Sequence, residues 1–371
     1  MGAPPDTSPV ASVPLHVLAA VLVAAAVVQA AFLGLAVKTT GQLDGLAYRS
    51  IDGQEFMSLA RNIARHGRFT QDENPPFHPD TWRCPGYPLL LAACVGILGD
   101  TAIGPILLQQ VLAVGSAGLL VLIASRWTSP RRAGLIGLLW LLDPYRGYYT
   151  LWILSETWFV LLLLLGLWVW QRWMDHRTPV DLLMVGVIAG FAILTRPIAA
   201  VLIPPILVGA LVPQGRFRQR LVRAGTCAIG LLVPVGPWVA RNKLVAGRFA
   251  LSHQPGTVLT YYKAVEVVLW AEGRTRHRYT PAAVHDVWER FDERVRRRWS
   301  ALHGPLSPKA EQDVAWPQIA WGRVRAVNPL LLDREVRHVG LETLVERPGA
   351  TLACWMARCA SILTFPLTLA L

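Results

Sequence analysis

Apolar runs as long as a lipid bilayer is thick are the feature that most constrains the fold of this chain. The first extends from Leu15 to Val37, and similar runs follow as far as residue 240. A bilayer core of roughly 30 Å needs about 20 apolar residues in a spanning helix. With 53% hydrophobic and only 16% charged residues, the chain is more apolar than ordinary soluble domains. We therefore predict an all-α polytopic membrane protein.

Eight apolar runs are candidate transmembrane helices. They cover residues 15–37, 101–124, 133–149, 150–170, 182–195, 197–212, 224–240 and 350–371. The first run is longer than the apolar region of a secretory signal peptide and has no Lys or Arg before it, so we expect it to be retained. A further segment, 85–99, is short for a span and fits an interfacial or re-entrant helix.

Arginine-bearing short loops predict the orientation of these helices. If segment 85–99 does not cross, the arginines between residues 126 and 132, 172 and 177, and 216 and 223 all lie on one side. Short loops rich in Lys or Arg mark the cytoplasm. We therefore expect a transmembrane core over 1–240 with an outer loop over 38–84, a mostly helical extracytoplasmic region over 241–349, and a last transmembrane helix over 350–371.

The sequence lacks the usual motifs of metal sites, disulfide frameworks and nucleotide-binding sites. The five cysteines form no CxxC pair or disulfide framework, and no histidines stand at an HExxH spacing. There is no P-loop and no Gly-rich dinucleotide fingerprint. Arginine supplies most of the net charge of +12, and it suits bidentate contacts with phosphate. A codon bias toward arginine explains the same excess, and we expect no nucleic-acid partner.

Polar residues that hydropathy does not explain converge on the predicted outer side. Ionisable groups at membrane depth are costly and are functional candidates by default. Glu156 could pair with Arg146 or Arg196, and the arginines at helix ends could instead extend to lipid headgroups. The candidates are Asp52, Arg83, Asp143, Arg146, Glu156, Arg196, Arg241 and Asn242.

The first outer loop contains a predicted amphipathic helix over 52–66. Phe56, Leu59, Ala60 and Ile63 repeat at helical spacing, and Arg61, Arg65 and Arg68 share another face. The apolar side would contact lipid or segment 85–99. The arginines would meet headgroups, a lipid-linked phosphate or only solvent. Asp52 followed by Glu55 also fits a helix N-cap with a capping box, a role compatible with catalysis.

These motifs resemble the GT-C glycosyltransferases, in particular bacterial relatives of the dolichyl-phosphate-mannose protein mannosyltransferases and of the aminoarabinose transferase that modifies lipid A. In one place the sequence differs, because Gly53 replaces the second acidic residue of an Asp-Glu pair. The similar segments are 52–63, 67–69, 83–88, 155–156, 194–197 and 237–242, and residues 333–348 are similar to an amphipathic helix that precedes a further span.

The resemblance implies a GT-C-like membrane enzyme of the bacterial inner or plasma membrane, with its site on the extracytoplasmic face. It would transfer a sugar, with inversion, from a polyprenyl-phosphate-linked donor to a glycan, glycolipid or protein acceptor. The resemblance makes Asp52 the catalytic base and assigns carrier phosphate or substrate binding to Arg83, Arg196, Arg241, Asn242 and Glu156. No cofactor is identified, and a divalent metal remains an option without a recognisable ligand set.

Two other functions use the same residues. A transporter or flippase for a lipid-linked or anionic solute would need a polar cluster open to both sides, and the cytoplasmic helix ends offer few polar side chains. A non-catalytic scaffold would bind the carrier lipid without turnover.

Overall fold

The computed structural model describes residues 13–41, 47–48, 50–141, 143–274, 280–305 and 328–368. Within these ranges the regular structure is helical and contains no strand, which confirms the predicted all-α class. Four helices are long and apolar enough to cross a membrane: Leu15–Thr40, Ile103–Ala124, Glu156–His176 and Phe217–Ala246. Shorter apolar helices cover Gly86–Leu98, Pro179–Thr195 and Pro197–Leu211. The protein is therefore a polytopic membrane protein.

The chain divides into two compact units. Unit 1 contains residues 1–80 and 84–241, and unit 2 contains residues 81–83 and 242–371. The helices of unit 1 are α1 Leu15–Thr40, α2 Ile51–His66, α3 Gly86–Leu98, α4 Ile103–Ala124, α5 Pro130–Leu141, α6 Pro144–Leu151, α7 Glu156–His176, α8 Pro179–Thr195, α9 Ile203–Leu211 and α10 Phe217–Ala246, whose last turn enters unit 2.

The spans predicted over 133–149 and 150–170 have different bounds in the structure. The first run is divided between α5 and α6, and the second begins as a helix only at Glu156. The break at residues 152–155 consists largely of apolar side chains, so hydropathy does not mark it. Glu156 is consequently the first residue of α7, whereas the sequence predicted that it lies several residues inside a span that begins at residue 150.

Helix α2 confirms the predicted amphipathic helix of the first outer loop. Phe56, Leu59 and Ala60 are buried, and α2 packs extensively on α3, the short apolar segment. The predicted N-cap is wrong, because Ser50 caps the helix and its Oγ accepts a hydrogen bond from Gly53 N at 2.9 Å. A serine hydroxyl in an extended residue before the first turn is a favoured cap, and Asp52 lies in the first turn instead.

Unit 2 is a helical assembly with its own core. Its helices are α11 Gln254–Thr257, a π-helical segment Val258–Ala264, α12 Val265–Ala271, α13 Pro281–His303, α14 Pro329–Glu346 and α15 Pro348–Thr368. In the sequence, Val284, Val287, Phe291 and Val295 recur at helical spacing, which predicts one amphipathic stripe. The structure confirms it, since Val287, Phe291 and Val295 are buried in this core and Val284 packs against it. Thr280 and Asn328 cap α13 and α14, and each cap is followed by proline, which favours a helix start.

Candidate functional site

Asp52 lies in the first turn of α2, with its side chain exposed. The backbone of this turn approaches the break between α6 and α7 closely. A Cβ atom at Gly53 would lie 3.0 Å from Ile153 O and 3.1 Å from Ala47 O. Ile153 N also donates to Ala47 O at 3.2 Å. The glycine that replaces an acidic residue of the resembled motif therefore allows the first turn of α2, which carries Asp52, to pack against this break.

The motif at residues 84–88 packs between two other parts of the resemblance. The ring of Tyr87 meets that of Phe56 edge to face, with centroids 5.1 Å apart. A Cβ atom at Gly86 would lie 2.7 Å from Thr195 N, so the start of α3 touches the backbone immediately before Arg196. Glycine allows this close approach because it has no side chain. Segments that are far apart in sequence thus meet around α3.

Gln109 on α4 holds the break between α6 and α7. Its side chain is fully buried, and its Oε1 accepts from Tyr87 OH at 2.9 Å and from Leu154 N at 3.3 Å. Its Nε2 donates to Thr150 O at 3.1 Å and to Trp152 O at 2.7 Å. Backbone groups freed from a helix inside a membrane need other partners. One amide side chain supplies them here, just before Glu156.

Glu156 forms an ion pair with Arg196, with 2.7 Å between Oε1 and NH1. The side chains are 36% and 38% exposed, so the pair is open to solvent or ligand. Arg196 NH1 also donates to Ser155 Oγ at 3.5 Å, and the guanidinium lies 5.9 Å from the ring centre of Phe159. Of the two partners proposed for Glu156, the structure places Arg196 there; the side chain of Arg146 lies outside the described part.

Two arginines of α2 bind a carboxylate of their own unit. Arg61 Nε and Arg65 NH2 contact the Asp100 carboxylate at 2.7 Å and 2.5 Å. Burial is the largest single effect and lowers the pKa of Arg61, but the hydrogen bonds and charge interactions with Asp100 and Tyr48 together outweigh it, so the net shift of the pKa is upward. The prediction that Arg68 shares this face is wrong, because α2 ends at His66 and Gly67 is its C-cap. The guanidinium of Arg68 lies 5.4 Å from the ring centre of Phe77. The arginine face of α2 therefore carries specific contacts within unit 1.

Arg241 bridges the two ends of the loop from Phe69 to Asp80, which follows α2. Its NH1 donates to Asp80 O at 2.6 Å and its NH2 to Phe69 O at 3.4 Å. The guanidinium also lies 4.8 Å from the ring centre of Trp238. These contacts give Arg241 a structural role near the C-terminal end of α10. Its predicted role in phosphate binding remains a prediction.

The remaining predicted residues, Arg83 and Asn242, belong to unit 2. Asn242 is fully buried, and its Nδ2 donates to Ala250 O at 2.8 Å and to Leu251 O at 3.2 Å. With its amide oxygen turned toward Arg83, Gln254 accepts from Arg83 NH1 at 3.2 Å. Asn242 thus orders the chain after α10, while the roles of both residues toward substrate remain predictions.

The sequence did not single out Gln109, although a signal was present. Gln109 and Gln110 are adjacent amides inside the apolar run 101–124, where polar residues are costly. Among the described residues, no group of three or more His, Cys, Asp or Glu side chains is placed to hold a metal ion.

A model of the dolichyl-phosphate-mannose-protein mannosyltransferase family matches residues 78–239. The match includes Arg83, Glu156 and Arg196, whereas Asp52 and the pair Arg241 and Asn242 lie outside it. Neither curated proteins nor solved structures gave a match to the chain. Over the matched residues the predicted resemblance is confirmed, and together with the apolar helices it supports a glycosyltransferase in a membrane.

Proposed function

We propose, from the similarity of residues 78–239 to the dolichyl-phosphate-mannose-protein mannosyltransferases, that the chain transfers a sugar from a polyprenyl-phosphate-linked donor to an acceptor hydroxyl. The observation that carries the proposal is the meeting of distant motifs in unit 1. The turn of Asp52 approaches the Ile153 carbonyl, three residues before Glu156, and Glu156 holds Arg196. The turn that carries Asp52 and the ion pair of Glu156 with Arg196 therefore both lie next to the same break.

In the proposed reaction, Asp52 is the general base. Its carboxylate takes the proton of the acceptor hydroxyl while the hydroxyl oxygen forms a bond to the anomeric carbon. The bond from that carbon to the phosphate oxygen breaks, and its electron pair leaves with the polyprenyl phosphate. Attack opposite to the leaving group inverts the anomeric carbon. The exposed position of Asp52 in the first turn of α2 allows an acceptor to reach it.

Arg196 is the best supported partner for the leaving phosphate. Glu156 orients its guanidinium through one nitrogen, and an arginine has five N–H donors in total. Positive charge fixed near the departing oxygen stabilises the negative charge that develops there. Arg83 and Arg241 are further candidates, with the other contacts described above. A divalent cation is a further option for this step, although the described part of the chain brings no ligand set together.

The proposed location is the extracytoplasmic face of a bacterial plasma membrane. The arginine bias of the short loops supports this orientation. An activated sugar on a lipid carrier also reaches such a face without a nucleotide-binding fold. The proposed acceptor is a glycan, glycolipid or protein of the envelope.

The test is sugar transfer by the purified full chain from synthetic polyprenyl-phosphate sugars to a mixed pool of envelope acceptors. Asp52→Asn should lower turnover by at least about 100-fold, since general base catalysis contributes about 10²- to 10⁴-fold. Glu73→Gln is the matched control, because Glu73 is an exposed carboxylate in the loop after α2. Equal activity of wild type and Asp52→Asn would remove Asp52 from the mechanism. Carrier binding without turnover in the wild type would instead favour a scaffold.

A further inference from the structure

A cavity of about 250 Å³ lies inside unit 1, beside the break between α6 and α7. Residues from five helices line it together with Asp143, which lies between α5 and α6. Typical pockets for drug-sized ligands start at roughly 300 Å³, so this one accommodates a group of monosaccharide size and not a polyprenyl chain. Its lining includes Gln29, Ser116, Trp140, Asp143, Tyr149, Thr150, Glu156 and Thr157.

Hydrogen bonds fix one wall of this cavity. Thr150 Oγ1 lies 2.7 Å from Gly147 O and 3.1 Å from Gln29 Oε1, two acceptors for its single hydroxyl proton, and it accepts from Gln110 Nε2 at 3.3 Å. The side chains of Gln29 and Thr150 are 4% and 1% exposed. Buried polar side chains with specific partners form a rigid surface. The wall is thus shaped before any ligand enters.

The chemistry of the lining favours a hydroxyl-rich group over a phosphate. Two carboxylates, Asp143 and Glu156, line the cavity, and none of the described lining residues is Lys, Arg or His. A phosphate would therefore meet like charge, which disfavours its binding. Carboxylates accept hydrogen bonds from hydroxyl groups, and Trp140 and Tyr149 add aromatic surface for the apolar face of a ring.

Glu156 joins this cavity to Arg196. The same carboxyl group lines the cavity and contacts Arg196 NH1 at 2.7 Å. A sugar joined directly to a phosphate could therefore place its ring in the cavity while its phosphate meets Arg196. We propose that the cavity binds the sugar ring of the donor. This inference rests on the proposed function, and it assigns the sugar and the phosphate to different parts of unit 1.

The test measures binding, so it does not require turnover. Short-chain polyprenyl-phosphate hexoses and sugar-free polyprenyl phosphate are titrated into the full chain in nanodiscs. Asp143→Asn and Thr157→Val should each weaken the best glycosylated ligand about tenfold and leave the sugar-free ligand within about twofold. Thr226→Val is the matched control, because Thr226 lies on α10 and its Oγ1 bonds to Val222 O of the same helix. If Asp143→Asn does not fold, Thr157→Val alone decides.

Several outcomes would overturn the assignment. An equal loss for both ligands would show that the variants damage carrier binding or the fold. Unchanged binding of both, with a raised KM for the acceptor alone, would place the sugar of the acceptor in the cavity. Sugar-selective binding that the two variants abolish, in a wild type without transfer activity, would uphold the cavity and refute the proposed function. Transfer activity in the wild type, with ligand binding unchanged in both variants, would refute the cavity assignment and uphold the proposed function.

Discussion

Gln109→Leu tests whether one amide holds the break before α7. The substitution keeps the approximate volume of the side chain and removes all four of its hydrogen bonds, which join Tyr87 OH, Leu154 N, Thr150 O and Trp152 O. Interhelical hydrogen bonds in membrane proteins contribute about 0.6 kcal/mol on average and up to about 1.7 kcal/mol. The expected loss of stability is therefore about 2.4 to 7 kcal/mol.

The neighbouring residue provides a matched control. Gln110 is also buried, but its Nε2 makes one long contact of 3.3 Å with Thr150 Oγ1, and its Oε1 has no hydrogen-bond partner among the described residues. Gln110→Leu should therefore change the free energy of unfolding by less than about 1 kcal/mol. Both variants change an amide to an isobutyl group on the same helix, so a general effect of the substitution cancels in the comparison.

The assay is unfolding of the purified protein in mixed micelles by increasing sodium dodecyl sulfate, followed by far-ultraviolet circular dichroism. Wild type, Gln109→Leu and Gln110→Leu are compared at one lipid and detergent composition. A loss below about 1 kcal/mol for Gln109→Leu, or equal losses for both variants, would refute the role of Gln109. Restoration of most of the lost stability by Gln109→Glu at acidic pH, where the carboxylic acid can both donate and accept, would support the role.

Two further predictions concern other positions. Gly53→Glu, which restores the acidic residue of the resembled motif, should destabilise the protein by roughly 1–3 kcal/mol through overpacking against the Ile153 carbonyl. An unchanged melting temperature would contradict this. Gly349→Glu controls for the added charge, because Gly349 is exposed and a Cβ there meets nothing within 4 Å. Burial raises the pKa of Asp333 from 3.8 to about 7, against hydrogen bonds from Gly256 N and Thr257 N that lower it. Because the folded state then binds the proton more tightly, this stability is full below about pH 4 and is lost as the pH rises toward 7. Asp333→Asn should make the melting temperature fall less between pH 4 and 7, and a slope equal to that of the wild type would contradict the prediction.

Patterns confined to one element were predictable from the sequence. Runs of apolar residues predicted the long helices, and the helical repeat of Phe56, Leu59 and Ala60 predicted the buried face of α2. The stripe of Val287, Phe291 and Val295 on α13 belongs to the same class. Each of these patterns depends on spacing along one segment, so no knowledge of the neighbouring segments was needed.

Features that depend on distant partners could not be predicted. The break before Glu156 lies in an apolar stretch, and its partner Gln109 is 43 residues from Trp152 in the sequence. The sequence proposed both Arg146 and Arg196 for Glu156, and only packing could choose between them. Ser and Asp both favour the N-cap position, so the sequence could not show that Ser50 and not Asp52 caps α2. For the candidate site, therefore, the sequence indicated residue types, and the fold determined their partners.

The contacts of Arg241 determine when the loop between Phe69 and Asp80 can be completed during synthesis. Its partner Asp80 O belongs to a residue made 161 positions earlier. At roughly 5–20 residues per second, the ribosome needs about 8–30 s to reach Arg241 after Asp80. Until then Phe69 O and Asp80 O lack this hydrogen-bond donor, although the residues of α2 have already been made. The loop beside Asp52 therefore reaches its final form only after the helices up to α10 have been made, which delays completion of this region until most of unit 1 exists.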